Sequence, residues 1–233
     1  MSNAETTRAN DTPPEELSPT AARIFLAAER LFAERGFEGV SVRDIVAEAE
    51  VNLAAVSYHF GSKSELLLAV FRARTKQLNR ERREGLRAAE AQHDGAPLEA
   101  IVRALLGPPI LWRDPSSGKD TASRFISRVL SEATPELRKI LETDVSHLQR
   151  FLAPLARAMP GCSEAEACWA LHFVVGLPHQ CTDTNFKRLD ALSGGRCDTQ
   201  NAGGALERAV SFALGGVGAL QARTAHSHHQ AGA

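Results

Sequence analysis

The chain has 233 residues, 43% of them hydrophobic and 24% charged, which is the balance of a globular protein with room for one large or two small cores. Its formal net charge of -1 at neutral pH excludes a polycation, so any surface for nucleic acid has to be local. No apolar run reaches the roughly 18 residues of a membrane span, and no basic stretch followed by an apolar one opens the chain as a secretory signal does. The cysteines Cys162, Cys168, Cys181 and Cys197 form no CxxC pair, so the chain reads as a reduced, cytoplasmic protein with no membrane partner.

Residues 1–16 are polar, lack an apolar period and predict a disordered leader. Ser18-Pro19 supplies an N-cap and a first-turn proline for a helix whose stripe is Ile24, Ala28, Leu31 and Phe32 and whose stop is Gly36. Ser41, with Asp44 three residues on, opens a short second helix. A turn at 49–52 leads to Asn52, which caps a third short helix from Leu53 to about His59. Ser62-Lys63-Ser64-Glu65 is a capping box for a fourth helix running towards Glu90.

The second half reads as longer helices. One follows Pro97 and bends at Gly107-Pro108-Pro109; others cover about 119–132, 134–158 and 163–180. The stretch 182–200, with Gly194-Gly195 and little period, predicts a loop. A last helix covers about 202–220, and the residues from 222 onward predict a disordered tail. No run alternates as a strand would, so the fold class is all-α.

Short helices joined by a four-residue turn form a unit that reads DNA. The segment from Ala21 to Phe71, above all LFAERGFEGVSVRDIV and YHFGSKSEL, resembles the DNA-binding domain of the TetR family of regulators. The resemblance implies an N-terminal helix-turn-helix domain over 17–66, then a helical ligand-binding and dimerisation domain over 67–221. It places the third helix in the major groove, with Asn52, Leu53, Ala54, Ala55, Ser57, Tyr58 and His59 on or beside the DNA. Ala54 and Ala55 would meet thymine methyls, and Ser57 a base edge or a phosphate. Tyr58, His59 and Lys63 would hold phosphates, Lys63 at a helix N-terminus that favours anions, and Ser41 and Arg43 would touch the backbone or an adjacent base. Packing of Tyr58 on the fourth helix, and a solvated or capping His59, are the plainer alternatives. Two positions depart from the family pattern. Glu50 stands where glycine is common, at a site that calls for positive φ, and is expected to point away from phosphate. Ser57 stands where a larger residue is common, so the base preference does not carry over.

The resemblance also implies a homodimer through the last two helices, about 163–181 and 202–220, which would let two recognition helices read a palindromic operator. The last helix suits it, with Gly215, Gly216, Gly218 and Ala219 for close approach and Phe212 among its apolar residues; packing inside one subunit would use the same residues. Candidate lining for an effector pocket is Trp112, Phe125, Leu148, Phe151, Trp169, His172 and Phe173, each equally at home in an ordinary core. Such a lining implies a small hydrophobic inducer and no cofactor. Cys168 and His172, four apart, would be half a zinc site without a second half, and His226, His228 and His229 lie in a tail that holds nothing in place, so no metal is expected. No nucleophile elbow, HExxH or glycine-rich phosphate loop occurs, which sets a helical enzyme far behind a repressor, or an activator of the same fold.

Overall fold

The computed structural model describes residues 13–92, 95–132, 138, 139 and 145–230. Among them lie ten α-helices and no strand: α1 (Pro19–Arg35), α2 (Val42–Glu48), α3 (Leu53–His59), α4 (Lys63–Gln92), α5 (Leu98–Leu111), α6 (Asp120–Ser131), α7 (Ser146–Ala158), α8 (Glu164–Gly176), α9 (Asp183–Ser193) and α10 (Ala202–Gln230). No described helix is long and apolar enough to cross a membrane.

Local chemistry sets the early boundaries. Ser18 Oγ accepts the Ala21 N–H at the start of α1. Gly36 ends it at φ 75°, and a Cβ there would come within 2.5 Å of the Glu132 carboxylate, so both backbone and space call for glycine. Ser41 and Asp44 cap α2 reciprocally, Asn52 Oδ1 accepts the Ala55 N–H at 2.9 Å to open α3, and Ser62 Oγ accepts the Glu65 N–H to open α4.

The chain folds as two compact units. The first takes residues up to Leu78 and adds Lys119–Lys139. Its core joins Ile24, Phe25 and Phe32 of α1, Ile45 of α2, Val56 and Phe60 around α3, and Leu66 and Val70 of α4 to Phe125 and Val129 of α6. The buried Glu29 carboxylate is held bidentately by Arg74, with Nη2 at 2.7 Å, which compensates the charge a helical core would otherwise exclude.

The second unit takes Asn79–Gly118 and the chain from Ile140 onward. In it α5 packs along α10 and also meets α7 and α8. Ile101, Leu105 and Ile110 of α5, Phe151 and Leu155 of α7, and Leu206, Val210 and Val217 of α10 form its core. Arg103 of α5 donates to both oxygens of Glu207 on α10 at 2.6 Å each.

Four elements differ from the sequence reading. Residues 183–193 are helical, not loop: Thr182 caps α9, Gly194 ends it at φ 61°, and Phe186 and Leu189 anchor it to the core. The residues from 222 continue α10 as far as Gln230, because extending a formed helix costs far less than nucleating one. The helix expected to Gln180 stops at Gly176 and tightens into a 3₁₀ turn, Leu177–Gln180, with Pro178 in its first turn. The expected disordered leader ends in a 3₁₀ turn, Pro14–Glu16, with Pro14 buried; its residues up to 12, and the start of the helix expected from 134, lie outside the described residues.

Candidate nucleic-acid interface

α2 and α3 cross over the turn 49–52, and Glu50 supplies the bend at φ 51°. Among the described residues it is the one non-glycine with positive φ, as its position in the turn required. Arg23, on α1, steadies that conformation by donating to the Glu50 carbonyl at 2.8 Å. The sequence reading missed this residue, since the pair is 27 positions apart and has no local spacing to betray it. An ion pair between Arg30 and Glu48 ties α1 to α2 as well.

Packing decides which face of α3 is free. Val56 and Phe60 are buried, and they carry Ala55 inward to lie half-buried against the same core. Leu53, Ala54, Ser57 and Tyr58 are exposed, so the outward strip is narrower than the run 53–59 and omits Ala55. A residue at i+2 from Leu53 lies about 200° around the helix, which turns its methyl away from any groove the strip enters. Tyr58 is 68% exposed and its ring stands edge-on to half-buried His59, centroids 4.9 Å apart. Asn52 is exposed, with its Oδ1 engaged in the cap.

At the start of α2, Ser41 and Arg43 are exposed. Hydrogen bonds from Ser41, side chain first and then backbone, hold the Asp44 carboxyl below its ordinary range, so it stays ionised and fixes the α2 entry. Lys63 is half-buried and turned inward. Its Nζ donates to the carbonyls of Phe37 and Val40, both at 2.9 Å, and stands 4.0 Å from the Phe37 ring centroid. Two of its three donors thus tie the α1–α2 loop to the start of α4.

The seven pocket candidates do not converge. Phe125 is fully buried in the core of the first unit, 6.4 Å from Phe32 between ring centroids, because α6 packs on α1. Trp112 is buried in the second unit, its indole N–H donating to Glu81 at 2.7 Å. Phe151 is fully buried, and Leu148 lies half-buried against the same core. Trp169 and Phe173 are 56% and 59% exposed, stacked 5.6 Å apart, with exposed His172 edge-on to the indole. The inward residues of α8 are instead Ala167, Ala170, Leu171 and Val174. On α10 the same division holds: Leu206, Val210, Ala213 and Val217 face in, while Phe212 is 73% exposed beside exposed Gly215, Gly216 and Ala219. Among the described residues no group of three or more His, Cys, Asp or Glu is placed to hold a metal ion; the side chains of His226, His228 and His229 lie outside them.

A compact helix-turn-helix joined to a larger helical unit defines the architecture of a one-component DNA-binding regulator. The family model for bacterial regulatory proteins of the tetR family matches residues 24–70, and that for a tetracyclin repressor-like C-terminal domain matches residues 103–216. The dual transcriptional regulator CecR of Shigella flexneri is 31% identical over 159 residues, 64% of this chain and 69% of CecR. A transcriptional repressor of Mycobacterium tuberculosis is 39% identical over 92 residues, 40% of this chain and 44% of its own length. Two solved structures share the fold: a TetR-family regulator from Rhodococcus (TM-score 0.61, 20% identity, 88% of this chain and 100% of that one) and FadR of Bacillus subtilis in complex with stearoyl-CoA (TM-score 0.60, 16% identity, 81% and 97%). The chain belongs to the TetR family of transcriptional regulators.

Proposed function

We propose that the chain is a cytoplasmic, homodimeric repressor that leaves a palindromic operator when a small molecule with a hydrophobic body binds its second unit. The observation that carries the reading is the exposed strip Leu53, Ala54, Ser57 and Tyr58 on a helix whose opposite side is locked into a core. A short helix with small residues at its tip suits close approach to base edges. Exposed Arg43 and Ser41 at the start of the preceding helix, and the remaining proton of Lys63, suit phosphates.

Dimerisation is supported by the outward faces of α8 and α10. Aromatic residues as exposed as Trp169, Phe173 and Phe212 cost hydration unless a second surface covers them, and Gly215 and Gly216 would let that surface come close. Release follows as a population shift: an effector that binds better to a state with wider-set recognition helices draws the dimer away from successive major grooves.

CecR is named a dual regulator, which keeps a second reading in play: the same fold with an effector that tightens DNA binding. Selection of bound duplexes from a random library tests the reading. A palindrome with half-sites about 10 bp apart is expected; enrichment of no sequence, or of single half-sites alone, counts against it.

A further inference from the structure

α2 closes with two returning hydrogen bonds. Beyond its C-cap Ala49, the Val51 N–H donates to the Val46 carbonyl at 3.0 Å and the Glu50 N–H to the Ala47 carbonyl at 3.2 Å. Val46 and Val51 both pack against the core of the first unit, as the residues at these two places of such a helix end commonly do. The arrangement needs positive φ at the residue after the cap, a place that glycine fills freely and Glu50, at φ 51°, does not. What this chain has in place of glycine is a bond from outside the turn: Arg23 Nη2 donates to the Glu50 carbonyl at 2.8 Å.

The register of α1 explains why this arginine is the donor. Ile24, Phe25 and Ala28 are buried and fix the roll of the helix, which leaves Arg23 and Arg30, seven residues apart, on one exposed side. Arg30 pairs with the Glu48 carboxylate in the last turn of α2. Two arginines of one helix thus hold the end of α2 on both sides of its cap, at Glu48 before it and at Glu50 after it. α3 begins at Leu53, with Asn52 as its cap, so the backbone angles at Glu50 set the direction in which α3 leaves. The cost of a side chain at positive φ and the worth of one hydrogen bond from a charged donor are of the same order. Without the Arg23 bond the turn therefore leaves this shape in a sizeable share of molecules.

We infer that Arg23 is a positioning residue for sequence readout: it holds the turn that aims α3, where glycine would hold that turn unaided, and it acts through the Glu50 carbonyl rather than through a phosphate. This rests on the proposed reading of α3 as the helix that meets DNA. Arg23 is then needed only while residue 50 carries a side chain. With Glu50→Gly the turn keeps its shape without help, so the two positions are coupled.

The test uses the whole chain with Arg23→Met, which keeps the apolar stem and removes the donors, in the wild-type and in the Glu50→Gly background. Fluorescence anisotropy gives the ratio of affinities for the selected palindrome and for a random duplex. Amide hydrogen exchange, resolved by NMR, follows the Val51 N–H in the absence of DNA. In the wild-type background Arg23→Met lowers the affinity ratio about tenfold and speeds Val51 exchange about tenfold, the scale of one charge-assisted hydrogen bond. In the Glu50→Gly background both effects stay under about threefold. Arg23→Lys, which still donates, keeps part of the wild-type ratio. Should circular dichroism show Arg23→Met unfolded, Arg23→Gln takes its place with the same expectation. Equal losses in the two backgrounds, or no loss in either, overturn the positioning role. So does a fall in affinity for every duplex alike with a salt slope lowered by about one, the mark of a phosphate contact. Coupled exchange in a protein that prefers no duplex overturns the DNA-reading role of α3 and leaves the hold on the turn standing. Selective DNA binding with uncoupled exchange does the reverse.

Discussion

Lys63 Nζ stands 2.9 Å from the Phe37 carbonyl oxygen and 4.0 Å from the centroid of the same residue's ring, so one ammonium satisfies a loop carbonyl and caps an aromatic face. With the second bond to Val40, it fastens the loop before α2 to the first turn of α4. Lys63→Met therefore destabilises the first unit by about 1–3 kcal/mol, the range for leaving buried acceptors unsatisfied, as read by urea denaturation. Its cost in stability separates it from Arg43→Ala. Loss of the exposed arginine leaves stability unchanged and lowers the salt slope by about one, the signature of one phosphate contact.

Glu50 adopts φ 51° in the turn between α2 and α3. A side chain in that conformation costs about 1–2 kcal/mol relative to glycine, partly offset by the larger unfolded-state entropy of glycine. Glu50→Gly is expected to raise the melting temperature by a few degrees, consistent with about 1 kcal/mol. A fall in melting temperature would mean that the carboxylate itself makes a stabilising contact.

Phe125 is distant in sequence from the helix-turn-helix and fully buried in its core. Phe125→Ala should cost about 3–5 kcal/mol, as large-to-small changes in tight cores do, and weaken DNA binding along with stability. A substitution that leaves the denaturation midpoint in place while changing only the response to an effector would return Phe125 to a pocket role.

Much of the first unit was legible because its signals are local. Ser18-Pro19, Ser41 with Asp44, Asn52 and Gly36 mark boundaries within a few residues of themselves, and the structure uses each as a cap, stop or turn. The second unit was less legible for a physical reason. α8 carries apolar residues all round, so its sequence does not say that Trp169 and Phe173 face out while Ala170 and Leu171 face in. α9 has only Phe186 and Leu189 as anchors, among charges and beside a glycine pair, too thin a stripe to announce a helix. The partnerships of Phe125 with Phe32, Arg23 with Glu50 and Arg82 with Leu105 join residues far apart in the chain, which no periodicity reports.

Phe212 is among the most exposed large apolar side chains described and lies on a helix face lined by Gly215, Gly216 and Ala219. If the proposed dimer forms through this face, Phe212→Glu, with Trp169→Glu as an independent second variant, converts it to monomer in native mass spectrometry while leaving the helical circular dichroism spectrum unchanged. Either variant remaining a dimer would place the interface elsewhere.

In the proposed function the strip Leu53, Ala54, Ser57 and Tyr58 reads sequence in duplex DNA. Fluorescence anisotropy on duplexes tiling the region upstream of the protein's own gene, at about 150 mM salt, measures this. A palindromic duplex is expected to bind at least about tenfold more tightly than random DNA, with affinity falling steeply as salt rises. Equal binding of every duplex, or a preference that survives replacement of Ser57 and Tyr58 by alanine together, rules that role out.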